Sequence, residues 1–389
     1  MNANRWASER VKAMPASVFD TMDRAKSRAK AKGLELIDLS IGSSDLAPPQ
    51  AALEALREAT YLPETYGYCL FSGTQPLRHA VAGWFLRRYD LFINPDEHVL
   101  PLIGSQEGFA NLLLATTDPG DLILAPDPGY PSYYGAIALA GLEMATMPLS
   151  SESGYLPDLS QISEETAKRA RIMVLSYPNN PTAAVATDEF MQGAVTFCHD
   201  HNILLVHDFP YVDMVFGDYR APSVLTQKGG LETAVELYSC SKSFHMGGFR
   251  MGWAVGNADA IGALAQAKGA IDFNQYVGIQ RAAVASLEAG TSETRAEVFE
   301  ARRDMLVETL NGISWDTPMP KASMYVWTKL PGGHADSFDF ALRLTEATGV
   351  CLNPGRAFGE EGEGYVRIAL VREPAVLARA VTRIQEFLD

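Results

Sequence analysis

The chain has 389 residues, of which 47% are hydrophobic and 20% charged, and a formal net charge of −15. This length exceeds what one core usually supports, so a large domain plus a smaller one is expected. The composition is that of a folded globule, and the acidic balance, with no basic patch to offset it, argues against nucleic-acid or membrane partners and for small-molecule chemistry.

Charges at Glu9, Arg10 and Lys12 interrupt the N-terminal residues, which lack the continuous apolar region of a secretory signal. No segment approaches the length of a membrane span. Cys69, Cys198, Cys240 and Cys351 are scattered without short paired spacings. That pattern argues against a disulfide framework or a zinc site and for reduced thiols in a cytoplasmic protein, with no metal expected.

Residues 15–32 predict an amphipathic helix with Val18, Met22 and Ala25 on one stripe, ended by Gly33. From residue 98, short apolar runs at 98–103, 122–125, 172–176, 203–206, 235–239 and 253–255 alternate with helical stretches. Such alternation predicts an α/β fold, a mostly parallel sheet with helices on both faces. After about residue 285 the rhythm changes to a charged helix over 293–310, a strand over 323–330 and helices over 336–347 and 375–388, an α+β pattern. The expected division is a small domain from residues 1–45 and 286–389 and a large domain from residues 46–285.

Five strand ends carry chemistry-bearing residues. Gly104-Ser105-Gln106-Glu107 opens a helix whose free N–H groups suit a phosphate, although Ser105 could equally be an ordinary cap. Asp127-Pro128-Gly129-Tyr130-Pro131 offers an aromatic face on a stiff loop, able to stack on a planar heterocycle. In the segment from Ser176 to Thr182, prolines stiffen a turn that displays Asn180 in one direction. His207-Asp208-Phe209-Pro210-Tyr211 puts a carboxylate at the edge where open α/β sheets bind ligands. A carboxylate there can keep a pyridine nitrogen protonated, though Asp also caps helices. Finally Ser239-Cys240-Ser241-Lys242, with Gly247, Gly248, Arg250 and Gly252, gathers hydroxyls and a guanidinium around one lysine. That set suits a dianionic phosphate beside an amine free to form an imine. Each motif alone also reads as a turn or cap. Taken together they require five strand ends to converge on one ligand.

In this order and over nearly the whole length, the motifs resemble the fold type I pyridoxal-phosphate (PLP) aminotransferases of class I/II. Residues 177–182 are similar to the family's Asn-Pro-Thr-Gly segment, with Ala183 where glycine is usual, and residues 239–252 to its Ser-x-Ser-Lys…Gly-x-Arg-x-Gly signature. The resemblance implies a seven-stranded, mostly parallel sheet in a PLP-transferase large domain plus a smaller α+β domain. It implies that Lys242 carries PLP as a Schiff base and acts as general base, that Asp208 pairs with the pyridine nitrogen, and that Asn180 and Tyr211 bond the ring hydroxyl. Tyr130 would stack on the ring, and Ser105, Gln106, Ser239, Ser241 and Arg250 would hold the phosphate. Gly364-Tyr365-Val366-Arg367-Ile368-Ala369 resembles the strand whose arginine grips the substrate α-carboxylate, a group that a guanidinium fork matches better than an ammonium does. Gly42 sits where the family brings backbone close to substrate. Tyr66-Gly67-Tyr68-Cys69-Leu70-Phe71 resembles a loop that reaches into the neighbouring subunit of a homodimer with shared active sites, where Tyr68 would contact the cofactor phosphate.

Within the family the likeness is strongest to LL-diaminopimelate aminotransferase-like enzymes, carried by residues 126–133, 175–185 and 216–225. Phe71 stands where those enzymes aim an acidic residue at the distal ammonium, and an unpaired charge in a closed site is costly. The expected reaction is ping-pong transfer of an amino group from LL-diaminopimelate, or from an apolar or aromatic L-amino acid, to a 2-oxo acid such as 2-oxoglutarate. A C–S β-lyase shares the same framework. A non-catalytic effector-binding protein would need a basic DNA-binding segment, which the sequence does not show.

Overall fold

The computed structural model describes residues 6–15, 18–290 and 294–389, so position 293 of the charged helix lies outside the described residues. The strands in chain order are β1 (Ile37–Asp38), β2 (Val99–Leu102), β3 (Leu122–Asp127), β4 (Glu143–Pro148), β5 (Ala170–Leu175) and β6 (Leu204–Asp208). They continue with β7 (Ala234–Ser239), β8 (Gly252–Gly256), β9 (Tyr325–Lys329), β10 (Val350–Cys351), β11 (Asn353–Pro354) and β12 (Tyr365–Ala369). The main sheet has seven strands in the order β2-β8-β7-β6-β5-β3-β4. Every neighbouring pair is parallel except those made by β8, which runs antiparallel to both β2 and β7.

Six of the seven strands coincide with the apolar runs of the sequence. The seventh, β4, escaped that reading because it is an edge strand: of its residues only Met147 is buried, so it carries no continuous apolar run. Two apolar clusters sandwich the sheet, one around Phe85, Met173, Phe209 and Trp253, the other around Leu102, Phe109, Tyr133 and Val206. A third core joins Ile37 and Leu39 to Phe299, Trp315, Val326, Phe340 and Ile384, and also takes in Tyr211, Met214 and Phe216 from the segment after β6. In this region β1 pairs with β10, and β12 lies between β11 and β9.

The direction of β8 decides where the chemistry falls. A parallel neighbour to β7 would need a long crossover to the far edge of the sheet. Because β8 instead returns antiparallel, the connection 240–251 stays at the carboxyl edge of the parallel strands, and keeps Lys242 and Arg250 there. The ends of β2, β3, β5, β6 and β7 all meet at this edge.

Candidate active site

A cavity of about 280 Å³ opens at that edge, and its walls bring together residues separated by more than 300 positions, from Ser40 to Arg367. Of the residues singled out in the sequence, Gly42, Ser105, Gln106, Tyr130, Asn180, Asp208, Tyr211, Ser239, Ser241, Lys242, Arg250 and Arg367 all line it. Tyr68 and Phe71 do not. Tyr68 is 89% exposed beside Phe273, and Phe71 is 45% exposed under the Arg78 guanidinium.

Asp208 is buried at the end of β6. Its Oδ2 accepts a hydrogen bond from the Tyr133 hydroxyl at 2.6 Å, while Oδ1 is buried with no partner. Burial raises its pKa to about 6, against the hydrogen bond from Tyr133 and the influence of His207, the Ser105 hydroxyl and Lys242 nearby. A carboxylate oxygen left without a donor in a dry wall costs free energy unless a ligand supplies one.

Lys242 follows β7, and its Nζ donates to the Gly42 carbonyl. A side chain at Gly42 would collide with the Tyr325 ring, its Cβ falling 1.8 Å from the hydroxyl oxygen, so only glycine permits this approach. Arg250 takes a left-handed conformation, φ 54°, and donates to the Gly247 carbonyl at 2.9 Å. Its guanidinium abuts Gly104, where a Cβ would come within 2.7 Å of it, and so lies against the start of the helix Ser105–Thr116. The hydroxyls of Ser239 and Ser241 line the same cavity, with Ser239 Oγ accepting the Ser241 N–H at 3.1 Å.

Arg367 projects from β12. It donates to Asn180 Oδ1 at 2.8 Å and to the Ser40 carbonyl at 2.7 Å, while its Nε has no partner. Its guanidinium packs over the rings of Tyr325 and Phe358, 4.1 and 4.8 Å from their centroids. Ala183, which stands in place of the usual glycine after this turn, is held at φ 58°, the left-handed region that glycine occupies without strain. Tyr130 donates to Gln106 Oε1 at 3.0 Å and turns its ring edge-on to Tyr133.

The wall contains three cations, Lys242, Arg250 and Arg367, and one carboxylate, Asp208. An excess of two positive charges suits an anionic ligand. The sequence missed Ser40, Tyr133, Tyr325 and Phe358. Tyr325 lies in β9 and Tyr133 in a helix packed on the sheet, so both read as ordinary core aromatics. No group of histidine, cysteine and carboxylate side chains among the described residues could hold a metal ion. No described helix is long and apolar enough to cross a membrane.

Known proteins resemble this chain in sequence and fold. A family model described as aminotransferase class I and II matches residues 35–384. The LL-diaminopimelate aminotransferase of Desulforudis audaxviator is 39% identical over 380 residues, 97% of each chain. LL-diaminopimelate aminotransferase 2 of Trichormus variabilis is 40% identical over 382 residues, covering 97% of this chain and 98% of its own. Among solved structures, the "probable N-succinyldiaminopimelate aminotransferase" of Thermus thermophilus superposes with a TM-score of 0.91 at 46% identity, over 95% of this chain and all of that one. The aspartate aminotransferase of the same organism, solved with maleate, superposes at 0.90 and 27% identity, over 98% of this chain and 99% of its own. With motifs, sheet order and end-to-end likeness in agreement, this chain belongs to the class I and II aminotransferases and is a transaminase.

Proposed function

We propose that the cavity holds pyridoxal 5′-phosphate and exchanges an amino group between an L-amino acid and a 2-oxo acid in two half-reactions at one site. The buried Asp208 carboxylate on the cavity wall carries this reading: its Oδ1 has no hydrogen-bond partner in the protein, and a protonated pyridine nitrogen would supply a donor. When bound, the cofactor supplies an electron sink for the carbanion that forms at the substrate α-carbon.

The residues divide the remaining work. Lys242 Nζ would anchor the cofactor, and its amine is the base available to take a proton from the donor's α-carbon and to return one in the reverse half. Asp208 holds a proton on the ring nitrogen. Because Asn180 Oδ1 is occupied by Arg367, only its NH2 remains to donate to the ring oxygen, alongside the Tyr211 hydroxyl. Tyr130 stacks on the ring. The hydroxyls of Ser105, Ser239 and Ser241, the Gln106 amide and the Arg250 guanidinium hold the phosphate at the helix start. Arg367 clamps the α-carboxylate, and Gly42 lets backbone approach the substrate.

Tyr68 and Phe71 in the loop 66–71 are exposed apolar residues outside the chain's own cavity, which supports a homodimer in which this loop completes the partner's site. The four buried free cysteines support a reducing, cytoplasmic setting. We divide the chain into a large domain, 46–285, and a small domain, 1–45 with 286–389. The names of the relatives favour diaminopimelate-type donors, whereas Phe71 favours an apolar or aromatic one.

Absorbance spectra of the purified protein with pyridoxal phosphate, before and after amino acids are added, test the proposal. The visible band should form and respond to the donor, and Lys242→Ala should lose both band and turnover. Full transamination by that variant would refute the assignment. Donor profiling with 2-oxoglutarate tests the role of Phe71, since exclusive use of diaminopimelate contradicts an apolar specificity.

A further inference from the structure

Tyr325 has no part in the chemistry assigned so far, yet it touches three of its participants. Its side chain is buried on β9, and its hydroxyl lies 3.0 Å from the hydroxyl of Tyr211. Its ring is the face on which the Arg367 guanidinium rests, 4.1 Å from the centroid. Its oxygen presses on Gly42, the residue whose carbonyl receives the Lys242 ammonium. We infer that Tyr325 is a positioning residue that couples the carboxylate grip of Arg367 to the hydroxyl of Tyr211.

Tyr325 and Tyr211 share one proton. Two phenol oxygens 3.0 Å apart hold a single hydrogen between them, so one must donate and the other accept. The ionisable groups facing Tyr325 are Arg367 from β12, Lys242 after β7, Tyr211 after β6 and Tyr130 after β3. Burial pushes the Tyr325 phenol up, but the Arg367 and Lys242 cations and the bond to Tyr211 bring it below the ordinary phenol value. Burial, and then the neighbouring Tyr325, push Tyr211 well above it. The Arg367 cation, 4.1 Å over the Tyr325 ring, polarises the hydroxyl of that ring as a donor, so Tyr325 donates to Tyr211 and leaves the Tyr211 O–H free to donate into the cavity. A substrate carboxylate seated on Arg367 offsets the positive charge that makes Tyr325 the stronger donor. Occupancy of the carboxylate clamp is thereby reported to the group that faces the cofactor's ring oxygen.

The inference rests on the roles proposed above for Tyr211 and Arg367. Its test uses reconstituted enzyme and follows the pH midpoint of the bound pyridoxal-phosphate absorbance, the affinity of apoprotein for the cofactor, and kcat and KM. Tyr325→Phe keeps the ring under Arg367 and removes only the hydroxyl. A ring oxygen that loses a polarised donor becomes more basic, so the midpoint should move to higher pH. In the same variant kcat should fall roughly tenfold, the value of one hydrogen bond in a low-dielectric site, with KM nearly unchanged. Because Tyr325 acts through Tyr211, Tyr211→Phe/Tyr325→Phe should be no worse than Tyr211→Phe alone. Gly42→Ala, which displaces the Tyr325 hydroxyl from outside, should move the midpoint in the same direction. An unchanged midpoint in Tyr325→Phe, or losses that multiply in the double variant, would overturn the inference while leaving the proposed reaction intact. A wild-type protein that binds no pyridoxal phosphate would sink both.

Discussion

Asp208→Asn separates the stability of the empty fold from its capacity to hold a cofactor. The Asp208 acid is raised from its ordinary 3.8 to about 6, chiefly because burial disfavours the charged form. The folded chain therefore binds this proton more tightly than the unfolded chain does. Stability from this site is present below about pH 4 and is lost as pH rises through about 6. At about 1.36 kcal/mol for each tenfold change in proton affinity, the carboxylate costs the apoprotein about 3 kcal/mol at neutral pH. Asparagine keeps an acceptor for the Tyr133 hydroxyl and carries no charge. In urea titrations of apoprotein, Asp208→Asn should be close to wild type near pH 4 and more stable by about 3 kcal/mol at pH 7. Pyridoxal phosphate should then raise the unfolding temperature of wild type far more than that of the variant, because only wild type offers a carboxylate to a ring cation. Parallel stability curves across this pH range, or equal stabilisation by the cofactor, would refute the reasoning.

Two further substitutions test other parts of the site and its support. Arg367→Lys loses the hydrogen bonds to Asn180 and the Ser40 carbonyl and the packing on Tyr325 and Phe358. Steady-state kinetics should show kcat/KM for both amino and oxo acids reduced about 100-fold, equivalent to about 3 kcal/mol of lost charge-assisted bonding. Glu236 is fully buried beneath the site, where it accepts from the Val224 N–H and the Ser223 hydroxyl and faces His207 at 3.1 Å. Glu236→Leu strands these three and the Tyr238 hydroxyl that also donates to Glu236, so urea unfolding should show a loss of about 3 to 5 kcal/mol.

Periodicity placed six strands of the main sheet, and Ser105, Tyr130, Asn180, Asp208 and Lys242 could be read as neighbours because each follows a strand whose end shares one edge. That inference needs only strand direction, which βαβ connection rules supply. It fails for residues brought in from elsewhere. Ser40 reaches the cavity from beside β1, and Tyr325 from β9 in a different sheet.

The amino-acid sequence by itself singled out Lys242, Asp208 and the hydroxyls of Ser105, Ser239 and Ser241 as residues of one cavity wall, since these stand at strand ends placed by local pattern. Only the tertiary structure decided that the Arg367 guanidinium lies on the Tyr325 ring, that Tyr325 meets Tyr211, and that one oxygen of Asp208 is left without a donor. Those facts depend on how distant segments of the chain pack against each other, and contacts between residues more than a hundred positions apart leave no periodicity along the chain.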